Sequence, residues 1–196
     1  MSRTQDAIRE LFGESLRVKQ VFLSEQATAL EQAVDLVANA LTAGRKVLLF
    51  GNGGSAADAQ HIAAEFVGRF RVERRALPAL ALTTDTSALT AIGNDYGFEE
   101  VFARQIRGLA QSGDVAIAIS TSGNSPNVLR AVAACKDVGV RTVGFTGGDG
   151  GALAKAVDVS LRVSASTLSA RIQETHILIG HVLCELVDRR LLGEPS

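Results

Sequence analysis

Five short apolar runs punctuate the chain: VLLF at 47–50, LPALAL at 77–82, VAIAIS after Asp114, VRTVGF at 140–145 and a run over 157–163. Each is rich in residues suited to strands buried on both faces. The segments between them have helical spacing or turn chemistry, and Pro78 is tolerated only near the start of its strand. Alternating strands and helices predict an α/β fold, a three-layer αβα sandwich around a parallel sheet of five strands. A last helix is expected from about Ser169 to Leu192, and Phe98 to Leu109 suits an amphipathic helix.

Residues 2 to 43 contain no proline and read as helical, with Gly13 a candidate break between two helices. Leu30, Val34, Val37 and Leu41 keep the 3.6-residue period. Two helices ahead of the first strand exceed the needs of one α/β unit, so packing against another subunit is expected of them. No second domain is evident. Residues 1–196 are expected to form a single domain, with 1–43 as a helical extension for oligomerisation and 44–196 as the α/β core.

Composition narrows the partners. A net charge of −1 gives no electrostatic footprint for nucleic acid or an anionic membrane. No apolar run approaches the ~18 residues a bilayer needs, and the polar N-terminus MSRTQDAIRE is unlike a signal peptide. Cys135 and Cys184 stand alone in apolar helical settings, as buried thiols would in a reducing cytoplasm.

The candidate chemistry sits where strands end. Gly51-Asn52-Gly53-Gly54 follows the first strand, and Ser55 is expected to cap an Ala-rich helix, making an anion site of the helix N-terminus. No Lys is nearby for a Walker loop. Gly51, Gly53 and Ala56 fit a loose dinucleotide pattern, but Glu73 lies in a charged stretch rather than at a strand end. A second turn, Ser120-Thr121-Ser122-Gly123-Asn124-Ser125 before Pro126, offers four hydroxyls at a helix start, suited to a phosphate dianion. His61 and Glu65 stand at i and i+4 on one helix face. Such a pair can ligate Zn²⁺, and the carboxylate can serve as a base. Asn94 and Asp95 read as turn residues.

Four motifs, GNGGSAADAQHIAAEFVGRF, LTAIGNDYGFEEVFARQI, ISTSGNSPNVLRA and RIQETHILIGHVLCELVD, resemble the sugar isomerase (SIS) domain and, within it, the bacterial phosphoheptose isomerases. The resemblance covers most of Lys46 to Asp188. It implies a flavodoxin-like sheet, a homotetramer, and interconversion of sedoheptulose 7-phosphate with D-glycero-D-manno-heptose 7-phosphate for surface glycans such as lipopolysaccharide. It implies substrate contacts from Asn52, Gly53, Gly54, Ser55, Glu65, Asn94, Asp95, Ser120, Thr121, Ser122, Ser125 and Gln173. It also implies one zinc ion per subunit on His61, Glu65, Gln173 and His181, with Glu65 as base and His181 as acid.

Gln173 and His181 lie about 12 Å apart along one helix, so a site shared between subunits is expected. His176 is expected to be a packed core histidine. The same subfamily includes a protein that binds the replication initiator, and Ala170 before RIQE resembles that branch. A binding protein or a sugar-phosphate sensor is therefore the alternative, although the resemblance keeps both members of the acid–base pair.

Overall fold

The computed structural model describes residues 2–193. In chain order the elements are α1 (Arg3–Thr42), β1 (Val47–Gly51), α2 (Gly54–Val67), β2 (Ala79–Ala81), α3 (Thr86–Tyr96), a 3-10 turn at Phe98–Glu100, α4 (Val101–Leu109) and β3 (Val115–Ser120). They continue through α5 (Pro126–Asp137), β4 (Arg141–Gly147), α6 (Gly151–Ala156), β5 (Val159–Val163) and α7 (Ser169–Leu192). The strands form one all-parallel sheet in the order β2-β1-β3-β4-β5. This is the expected flavodoxin-like arrangement, in which β1 and β3 are neighbours and the chain reverses its winding direction between them.

Alternation along the strands makes two cores. Val47, Leu49, Val115, Ile117 and Ile119 face the layer of α1, α2 and α7, whereas Leu48, Phe50, Ala116 and Ala118 face α4, α5 and α6. All residues of β1 and β3 are buried, which explains their unbroken apolar sequence.

Several local expectations change. The N-terminal segment is one 40-residue helix, not two, because Gly13 sits in open space and costs the helix only about 1 kcal/mol. β2 shrinks to three residues at the sheet edge, paired only with β1. Ser55 is not a cap: Gly53 occupies that position and Ser55 lies buried inside α2. Asn94 and Asp95 are in the last turn of α3 rather than a loop; Asp85 caps the start of that helix by accepting from the Ala88 amide at 2.9 Å, and the helix runs on to Gly97, whose φ of +85° ends it. β4 runs on through Gly147, where it still pairs with β5. The short α6 stands between the fourth and fifth apolar runs, where the sequence pattern names no particular helix; six residues are too few to show a period.

Asp114 ties the entries of β1 and β3 together. Its 1% exposed carboxylate accepts from the amides of Lys46 and Gln111 at 3.0 and 2.8 Å and pairs with Lys46 Nζ at 2.6 Å. Replacing it leaves those donors unpaired. We expect Asp114→Ala to cost about 3 kcal/mol, read in thermal unfolding as a midpoint lowered by roughly 5–10 °C. A midpoint within about 2 °C of wild type would show that the strand entries do not rely on it.

Candidate functional site

Both polar turns lie at the C-terminal edge of the sheet, after β1 and β3. Asn52, Ser55, Ile119, Ser120, Thr121, Ser125 and Gln173 line a small pocket of about 90 Å³ there. The lining has no charged side chain. Neither Gly53, heading α2, nor Ser125, heading α5, makes a side-chain cap to its helix. The Ser125 hydroxyl instead meets Ser120 Oγ at 3.0 Å. Two helix N-termini without side-chain caps and a set of hydroxyls suit an anion bound by neutral donors. Gly123 holds the serine turn in place: its φ is +64°, and a Cβ there would fall 2.0 Å from the Gly150 carbonyl oxygen.

The second group lies farther along α2 and α7, which run side by side. Near their starts the Gln173 side chain covers Gly54, where a Cβ would meet it at 2.6 Å. Two turns later Gly180 lets Ile62 pack against the α7 backbone. That close approach brings His181 Nε2 to 3.1 Å from His61 Nε2, while Glu65 Oε1 lies 3.2 Å from the same His61 atom. Ligand atoms of His61, Glu65 and His181 all fall within 4.8 Å of one another, the cluster of metal-ligand type found among the described residues. Phe70 stacks on the His181 ring, 5.5 Å between centroids.

These separations carry a chemical meaning. A tetrahedral ion bound at about 2.0–2.1 Å spaces two nitrogen ligands by about 3.3 Å. Without a shared cation or proton, lone pairs of His61 and His181 would face each other. Two imidazoles and a carboxylate are also an established donor set for a catalytic zinc with an open position. The residues present fit a divalent ion.

The remaining sequence candidates divide clearly. Gln173 lines the polar pocket, about two turns before His181 on α7. Gly53 and Gly54 flank the pocket at the start of α2. Ser122 is exposed, with its hydroxyl accepting from the Asn124 amide. Asn94 and Asp95 bond to each other at 2.8 Å on the exposed end of α3 and do not line the pocket of their own chain.

Two residues escaped sequence reasoning. Asn127, buried on α5, exchanges a pair of 2.8 Å amide hydrogen bonds with Asn52 and sets its orientation. A polar side chain just inside a Pro-started helix, facing the preceding turn, was the available signal. Asp58, one turn before His61, has a carboxyl raised above its ordinary range by burial, against the opposing pull of His61. Nothing in its sequence surroundings distinguished it from an ordinary polar position on the helix.

His176 is the packed histidine expected. It is fully buried beside Phe145 and its Nε2 is 3.1 Å from the Thr146 carbonyl oxygen, fixing the tautomer that donates there. Burial pushes its pKa down to about 4, with the Thr146 bond acting the other way. Between the ordinary value of about 6.5 and pH 4 the unfolded chain takes up a proton that the folded chain refuses, so stability falls as pH drops through that window. The drop attributable to this residue is about 3 kcal/mol. Unfolding of His176→Gln, which keeps a donor, is expected to lose that part of the pH dependence; an unchanged profile would contradict the buried neutral state.

Comparison with known proteins gives one consistent answer. The family model described as the SIS domain matches residues 11–147. The phosphoheptose isomerase of Aquifex aeolicus is 55% identical over 93% of this chain and 95% of its own length. That of Geotalea uraniireducens is 53% identical over 96% and 99%. Among solved structures, phosphoheptose isomerase from Neisseria gonorrhoeae superposes with a TM-score of 0.89 at 47% identity, covering 94% of this chain and 98% of its own. The Francisella tularensis phosphoheptose isomerase gives 0.90 at 40% identity, over 96% and 100%.

Proposed function

The chain belongs to the SIS domain family as a phosphoheptose isomerase, and from that premise we propose that it converts D-sedoheptulose 7-phosphate to D-glycero-D-manno-heptose 7-phosphate through an enediol, for bacterial lipopolysaccharide and related surface glycans. The convergence of His61, Glu65 and His181 beside a neutral, hydroxyl-rich pocket carries this reading. Residues 1–196 act as one SIS domain, with 1–43 in oligomerisation. A replication-initiator binder or a sugar-phosphate sensor would need no such converging triad.

The chemistry is a proton transfer between neighbouring carbons. Asn52, Gly53, Gly54, Ser55, Ser120, Thr121, Ser122, Ser125 and Gln173 hold the phosphate and hydroxyls of the sugar. The Glu65 carboxylate removes a proton from C1 of the ketose, and the C–H electrons form the C1=C2 bond while His181 delivers a proton to the C2 oxygen. His181, now neutral, takes the C1 hydroxyl proton, the O–H electrons form the aldehyde C=O, and the C1=C2 electrons take the Glu65 proton at C2, which restores both residues. A base fixed beside the C–H bond and an acid beside the oxygen make this path accessible near neutral pH. Zn²⁺, one per subunit on His61, Glu65, Gln173 and His181, would stabilise negative charge on the sugar oxygens as a Lewis acid.

A homotetramer is supported by the apolar surface of α1. Leu11, Phe12, Leu16 and Leu23 are all more than half exposed, and an apolar groove of about 310 Å³ runs between α1 and α7. Such surface on an isolated chain marks an interface. Asn94 and Asp95, exposed and outside the lining of their own pocket, would complete the neighbour's site. Among the described residues no helix is long and apolar enough to cross a membrane. Both cysteines are free, and burial pushes the Cys135 thiol up to about 12, in keeping with a cytoplasmic enzyme.

Two results are expected. Glu65→Gln should lower kcat by about 10²–10⁴-fold while inorganic phosphate still protects the fold against heat; retained turnover would remove Glu65 as base. Mixed tetramers of Glu65→Gln and Asp95→Ala chains, each inactive alone, should regain activity. If they stay inactive, the site is not shared through α3.

A further inference from the structure

The charged connection between α2 and β2 was left without a role by the sequence, and it lies along one face of α7. Phe70 stacks on His181, Arg71 pairs with Glu185 at 2.9 Å, and Arg74 pairs with Asp188 at 2.7 Å. The three partners are spaced along α7 as one helix face requires. Of the pairs, Arg74–Asp188 is the buried one, its side chains 4% and 5% exposed.

Arg74 does more than pair with a carboxylate. Its Nη2 donates to the Glu65 carbonyl at 2.9 Å, and its Nη1 to the carbonyls of Phe66, Gly68 and Arg75 at 2.9, 3.2 and 3.1 Å. A helix ends with carbonyls lacking intrahelical partners and with partial negative charge. α2 has no basic residue in its last turn; the guanidinium supplies both the donors and the charge from outside the helix. The planar fork of Arg suits several acceptors at once, which a Lys ammonium does not reproduce.

We propose that Arg74 is a positioning residue for the isomerisation: by clamping the C-terminal end of α2 to Asp188 of α7, it holds Glu65 in register with His181. This rests on the reading of Glu65 and His181 as the acid–base pair. The backbone of Glu65 is held directly, and Asp188 lies two turns beyond His181 on the same helix. The clamp therefore joins the two helices whose relative position decides whether His61, Glu65 and His181 meet. Hydrophobic packing at Ile62 and Gly180 sets their separation, and the clamp sets the rotation and slide of their far ends.

The test uses the full chain loaded with zinc, comparing wild type, Arg74→Lys and Asp188→Asn. Asn keeps an acceptor in the same shape, so it provides a folded variant even if Arg74→Lys fails to fold. The expected result is a fall in kcat of about 10–100-fold, as misplacement of a catalytic group by about 1 Å produces, with KM changed less than about twofold. Zinc affinity, read by chelator competition without substrate, should weaken in the same variants. A merely structural ion pair would lower the melting temperature while leaving kcat per folded molecule, KM and zinc affinity unchanged; that outcome overturns the clamp. Wild-type turnover of sedoheptulose 7-phosphate is measured alongside. Its absence would overturn the functional reading and the clamp with it, whereas wild-type turnover with undiminished variants overturns the clamp alone.

Discussion

The contact of Ile62 with Gly180 is the constraint from which the geometry of the site follows. A Cβ at position 180 would lie 2.5 Å from Ile62 Cδ1, so only the bare backbone of α7 lets α2 come this near. Both residues are fully or almost fully buried, and the apolar core beneath them includes Ile172, Ile179 and Leu183 from α7 with Ala59, Ala63 and Phe66 from α2. Hydrophobic burial thus drives two helices together, and the glycine decides how close they come. His61 and His181, each next in sequence to one of the contacting residues, are carried to 3.1 Å as a consequence.

The sheet supplies the other half of the arrangement. β1 and β3 are buried on both faces, so their chain ends project two polar turns at fixed spacing from one edge. Asn52 from the first turn and Asn127 from the helix after the second lock together by reciprocal amide bonds. The α2 helix links the two regions: its start borders the pocket and its later turns bear His61 and Glu65. Two helices hold the triad, and short turns anchored to buried strands hold the polar pocket, the arrangement that acid–base chemistry at a fixed atom requires.

Sequence pattern revealed the fold well because its signals are local. Continuous apolar runs marked the buried strands, and the bounds of α7 were legible from its flanks. α6 was missed because six residues carry no period, and β2 was overextended because a proline-led apolar run does not show how few of its residues will pair. The site was legible in part. His61 and Glu65 share a helix face, so spacing alone joined them. His181 is 120 residues away from His61, and no spacing could reveal that contact; only family resemblance placed it there. The same resemblance names Gln173, whose side chain lies over Gly54 and whose role spacing alone could not give. Arg74 was visible only as part of a charged stretch, because its role depends on carbonyls exposed by the end of another element.

The central claim is that Glu65 moves a proton between C1 and C2 of a heptose phosphate. Incubation of the zinc-loaded protein with sedoheptulose 7-phosphate in D₂O, followed by NMR over many turnovers, tests it most directly. The account predicts an aldoheptose 7-phosphate, with deuterium at C2 to the extent that the Glu65 proton exchanges with solvent before its return, and no such product from folded Glu65→Gln. Either no aldoheptose from the wild type, or undiminished aldoheptose from folded Glu65→Gln, would contradict proton transfer by this carboxylate.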